Sequence, residues 1–117
     1  MKICYIADSD IIITIRYLKY FVKQGHEVYL IPAKVHTFNV EMKGGELDGV
    51  NIVNLNLDWR NTNWLKLIFT LKRKLKLISP DLVHIMNISR IGIAASFANR
   101  TIPIILTPWG ADLLIPE

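Results

Sequence analysis

Side chains able to do chemistry gather where apolar runs of this sequence end. Asp8 and Asp10 follow Lys2-Ile3-Cys4-Tyr5-Ile6-Ala7, His84 and Asn87 lie within and just after Asp81-Leu82-Val83-His84-Ile85-Met86, and Thr107-Pro108-Trp109-Gly110-Ala111-Asp112 follows the run "IPIIL". In the last segment Pro108 stiffens the exit, Trp109 offers a flat surface, Gly110 lets another backbone or a ligand come close, and Asp112 accepts hydrogen bonds from hydroxyl groups. A carbohydrate would use all four. The same residues also fit a structural part, with Trp109 filling the edge of a core and Asp112 capping a following helix. The segment alone leaves both readings open.

Elements of the right kind stand between these groups. "KICYIA" is the short apolar run of a strand buried on both faces, and "TIRYLKYFVKQG" reads as a helix. Thr14 is its expected cap, Leu18, Phe21 and Val22 its apolar stripe, and Gly25 its left-handed C-terminal residue. "EVYLIPA" and "VNIVNLNL" are β-rich strands, joined by a stretch whose Gly44, Gly45 and Gly49 argue for a loop. Trp64, Ile68, Leu71, Leu75 and Ile78 recur at helical spacing, with Lys66, Arg73, Lys74 and Lys76 largely opposite, and Pro80 closes that helix. "DLVHIM", "SRIGIAASFANR" and "PIILT" then read as strand, helix and strand. This order predicts an α/β fold: a Rossmann-like three-layer sandwich around a mostly parallel five-stranded sheet of order 3-2-1-4-5. In such a sheet ligands bind beyond the carboxyl ends of the strands, which is where Asp8, Asp58, Asn87 and Trp109 fall.

Composition narrows the classes. A chain of 117 residues, 51% hydrophobic and 21% charged, suits one globular domain with a real core. The single cysteine, Cys4, excludes a disulfide framework and favours a reducing, cytoplasmic setting. No run of about 18 apolar residues reads as a membrane span. Scattered histidines give no metal-ligand spacing, and the glycine patterns of dinucleotide and phosphate loops are absent, so neither a metal nor a cofactor is expected. A net charge of +4 favours an anionic partner. Nucleic acid is not expected, for want of any recognised binding motif. The stretch 59–78, with Arg60, Lys66, Lys72, Arg73, Lys74 and Lys76 and the aromatics Trp59, Trp64 and Phe69, fits peripheral contact with an anionic membrane. It equally describes a crossover helix with a solvated basic face.

Taken together, "MKICYIADSDIIITIRYLKYFVKQGHEVYLIPA", "PDLVHIMN" and "PIILTPWGAD" resemble the N-terminal, acceptor-side domain of GT-B glycosyltransferases of family 4, and the resemblance covers most of the chain in order. Members of that family are retaining enzymes that use nucleotide sugars. The resemblance implies that Asp8, Thr14, Arg16, His84, Asn87, Trp109 and Asp112 surround the sugar or phosphate of an acceptor, with Gly110 giving backbone access. It also implies a lipid-linked or polysaccharide acceptor, a place in cell-envelope polysaccharide synthesis, and work at the inner surface of the membrane.

Two positions depart from the family pattern. Ile13 stands where a loop histidine precedes Thr14, and Met86 stands where a second histidine ends the fourth-strand motif. Neither side chain can carry a proton or a charge, so contacts to acceptor or phosphate are lost and activity is expected to suffer. The family's donor-binding C-terminal domain does not fit within 117 residues, so the expectation is a single domain, inactive alone, with the nucleotide-sugar donor held by a further domain or by the partner chain of a split enzyme. A receiver domain, with Asp58 as phosphoacceptor and Asp8 and Asp10 binding magnesium, is the rival. It lacks the lysine that should precede Pro108, where Thr107 stands instead.

Overall fold

A strand can be apolar along its whole length only if both faces and both edges are covered. β1 (Lys2–Ala7) meets that condition: every residue after Lys2 is buried, and it pairs in parallel with β2 (Glu27–Pro32) on one side and β4 (Leu82–Ile85) on the other. β3 (Val50–Ile52) adds to β2 and β5 (Ile104–Leu106) adds to β4, giving one parallel sheet of order β3-β2-β1-β4-β5. This is the expected Rossmann-like topology. The computed structural model describes residues 1–8, 12–33, 48–55, 61–86, 90–99 and 101–107. β3 is shorter than the run "VNIVNLNL" predicts, because it is an edge strand held by β2 alone, over Val28 to Leu30.

Alternation along the strands sorts the core into two layers. Ile3, Tyr5 and Ala7 share one face with Val28, Leu30, Val50 and Met86, where Leu18 of α1 (Ile12–Lys23) is buried. Cys4, Ile6, Ile31, Val83 and Ile85 share the other, beneath α2 (Trp64–Ile78) and α3 (Arg90–Ala98). Burial holds the Cys4 thiol protonated, its pKa pushed up to about 12, so it behaves as a small apolar side chain.

Each helix end has a local cause. At the end of α1 the Gly25 N–H donates to the Val22 carbonyl and the His26 N–H to the Phe21 carbonyl, a Schellman motif that needs the positive φ of 88° at Gly25. α2 starts at Asn63, whose side chain accepts from the Lys66 N–H at 2.8 Å, and stops at Ser79, left-handed just before Pro80. Two details differ from expectation. Thr14 does not cap α1: it is the third helical residue and fully buried, because it precedes Leu18 by one turn and so belongs to the sheet-facing stripe. Its hydroxyl has no hydrogen-bond partner. On α2 the buried stripe is Leu67, Leu71, Leu75 and Ile78, while Trp64 sits on the flank, 43% exposed.

Gly49, at φ 84°, precedes β3, and a Cβ there would lie 2.7 Å from Val22 Cγ1. Gly25 has a similar φ but open space around it. Gly25→Ala should therefore cost only the backbone strain, about 1 kcal/mol, and Gly49→Ala measurably more. Urea unfolding of the two variants checks the order.

Candidate functional site

Because all five strands run the same way, their carboxyl ends lie along one edge of the sheet. Asp8 follows β1, Met86 follows β4 and Thr107 follows β5. The ladder continues to this edge, where the Met86 N–H donates to the Ile6 carbonyl and the Thr107 N–H to the Ile85 carbonyl. The other edge carries the first half of the fourth-strand motif. There the Asp81 carboxylate accepts the Lys2 backbone N–H at 2.8 Å, and the Lys2 ammonium donates to the Ile78 carbonyl. Pro80 and Asp81 thus close the amino edge, and the second half of the motif, from His84 to Met86, runs to the carboxyl side.

His84 is placed by register. It pairs with Tyr5 on β1 and Ile105 on β5, on the face that α1 covers. The Tyr5 ring lies 5.1 Å from the imidazole, centre to centre, and the Tyr17 ring of α1 meets it edge-on at 5.8 Å. Its Nε2 is 2.7 Å from Thr107 Oγ1, and the ring is only 7% exposed. Burial lowers the His84 pKa, so the ring is neutral and one of the two atoms donates to the other without a charge. The imidazole therefore holds the hydroxyl of the residue that leads into Pro108 and Trp109.

Of the residues expected to form a site, Asp8 is half-buried at the end of β1, Thr14 is buried in α1, and Arg16 is exposed on α1. Asn87, Trp109, Gly110 and Asp112 lie outside the described residues, as do Asp10 and Asp58, on which the receiver alternative turned. Ile13 is exposed within α1, not in a loop, and Met86 is fully buried in the layer beneath that helix. Tyr5, Tyr17 and the hydroxyl of Thr107 were not among the expected partners of His84. Strand parity puts Tyr5 and His84 on one face, but only register makes them neighbours.

The family model described as "Glycosyl transferase 4-like" matches residues 2–115. The chain belongs to the glycosyl transferase 4-like family. The fold of this family member is similar to that of part of a solved GT-B structure, "lipopolysaccharide outer core galactosyltransferase WaaB apo form", with a TM-score of 0.60 at 16% identity. The match covers 92% of this chain and 33% of that one, so the glycosyl transferase 4-like chain spans a third of the length of that structure. No curated protein sequence matches it.

A neutral buried imidazole makes stability depend on pH. The unfolded ring binds a proton near pH 6.5 and the folded one only at lower pH, so the unfolded state binds more protons in between, and stability falls as pH drops below about 6.5. His84→Gln should flatten that part of the profile in urea unfolding from about pH 7.5 to about pH 5.5. Thr107→Val should cost about 1–3 kcal/mol by leaving Nε2 unpaired, and should keep the pH slope.

Proposed function

We propose that this chain is the acceptor-binding part of a retaining glycosyltransferase that moves a hexose from a nucleotide sugar onto a lipid-linked or polysaccharide acceptor. The family match over residues 2–115 is the observation that carries the reading. The gathering of Asp8, His84 and Thr107 toward the carboxyl edge of the sheet supports it, since ligands of open parallel sheets bind along that edge.

The division of labour follows from the chemistry of each group. Trp109 stacks on a sugar face, Asp112, Asp8 and Asn87 take hydroxyl hydrogen bonds, and Gly110 admits the ring close to the backbone. Arg16, exposed on α1, meets an acceptor phosphate, whereas Thr14, two residues earlier, is buried on the sheet-facing side of the helix. His84 is a positioning residue: it holds the side chain of Thr107 at the carboxyl end of β5. With Ile13 and Met86 in place of histidines, no imidazole from either position assists the transfer.

Donor grip comes from a second domain, in a longer chain or a partner chain. A supporting comparison is that this chain spans 33% of the galactosyltransferase whose fold it shares. The 117 residues alone should not hydrolyse a panel of UDP- and GDP-hexoses, and should do so when co-expressed with the product of the neighbouring gene. Turnover of donor by the isolated chain would sink the reading. In the reconstituted enzyme Trp109→Ala should raise the acceptor KM about tenfold, the loss of one stacking contact.

A further inference from the structure

The two lateral edges of the sheet are finished differently. An edge strand leaves a row of backbone N–H and C=O groups unpaired, and proteins blunt such rows with charges, bulges or cover. β3 is blunted: Val50 is buried, the exposed Asn51 donates from its side-chain amide to the Val28 carbonyl, and the exposed Asp48 stands just before the strand. β5 is not. Among the described residues it pairs with β4 alone, Ile105 is 47% exposed and Leu106 50%, and no charged residue occurs from 101 to 107. Ile105 shares the α1 face of the sheet with His84, and strand alternation turns Leu106 to the other face. Apolar surface is thus open on both faces of this strand as well as beside it.

The ladder fixes which backbone groups are free. The Val83 N–H donates to the Pro103 carbonyl and the Thr107 N–H to the Ile85 carbonyl, so the odd-numbered residues of this stretch bond to β4. Backbone groups alternate in direction along a strand, so the N–H and C=O of Ile104 and Leu106 point away from β4, toward the open side.

We propose that a second copy of this chain pairs with β5 along that open side, antiparallel, about a two-fold axis normal to the sheet, so that the two sheets become one. The free groups set the register. With Ile105 opposite its own twin, Ile104 faces Leu106 of the second copy, and each such pair exchanges two N–H···O bonds. The two Ile105 side chains then meet as a non-hydrogen-bonded pair, with Cα atoms about 4.5 Å apart, on the face that carries α1 in both copies. A register centred on Leu106 would set Ile104 against Pro108, which has no N–H to give, and one centred on Ile104 would set Leu106 against Ile102, outside the strand.

The side chains decide for a second copy over a foreign strand. A two-fold interface sets a surface against itself, so any charge on it would meet its own sign. Ile104, Ile105 and Leu106 carry none and pack against one another as cross-strand aliphatic pairs. A foreign strand recognised by charge would find nothing here to pair with.

Cys4 leaves the test clean: it is the only cysteine and is buried, so its thiol takes no part in cross-linking. Analytical ultracentrifugation should show the chain as a dimer. Ile105→Cys should close an intermolecular disulfide under mild oxidation, because the twin positions lie within reach of one. Leu106→Cys should not, because its twin lies on the diagonal, about 8 Å away and beyond the span of a disulfide. Ile105→Lys sets like charges face to face and should abolish the dimer. Both positions are half-exposed, and an unchanged far-UV circular-dichroism spectrum verifies that each variant folds. These measurements use no sugar donor or acceptor, so they stand or fall apart from the glycosyl-transfer reading. A monomeric wild type, a dimer that survives Ile105→Lys, or cross-linking of Leu106→Cys as fast as that of Ile105→Cys overturns the proposal. So does a wild type that is monomeric alone but forms a one-to-one complex with the neighbouring gene product, broken by Ile105→Lys: a strand of that partner then covers β5.

Discussion

Burial of β1 on both faces is the constraint from which the rest of the molecule follows. A strand with no polar face must have a neighbour at each edge and a packed layer above and below it, because otherwise apolar surface would stay in water. β2 and β4 supply the neighbours, α1 one layer, and α2 with α3 the other. Parallel pairing then sends every strand out at the same edge. The shared edge is thus a by-product of covering the hydrophobic centre.

One motif serves both ends of this sheet. Pro80 and Asp81 finish α2 and tie the start of β1, through the hydrogen bond from the Lys2 N–H, while His84 lies three residues on, under α1 and against Thr107. The aspartate is exposed and acts on the backbone, whereas the histidine is buried and acts on a side chain of the adjacent strand. A hydroxyl–imidazole pair with its ring buried is worth keeping satisfied, since the imidazole alone would be an unpaired polar group. Thr14, in the same helix-covered region, shows the opposite case, a buried hydroxyl with no partner.

α2 divides its sequence between two sides. Leu67, Leu71, Leu75 and Ile78 cover the sheet, as any crossover helix must. Exposed leucines and a phenylalanine on its outer side contribute nothing to that cover.

Local pattern alone determined much of this. The run "KICYIA" marked β1 with its observed bounds, Gly25 marked the end of α1, and the alternation of strand and helix marked a parallel sheet of order 3-2-1-4-5. Burial periodicity, left-handed glycines and the order of elements are properties of neighbouring residues, so they can be read along the chain. The pairing of His84 with Thr107 and its contacts with Tyr5 and Tyr17 were decided by strand register and by the seating of α1, which join residues up to 79 positions apart. Tertiary packing likewise moved Thr14 from cap to core and put Leu67 in the buried stripe of α2 in place of Trp64, because which side of a helix is inner depends on how it is rotated on the sheet. That rotation is set by the whole layer beneath it, and no stretch of sequence contains it.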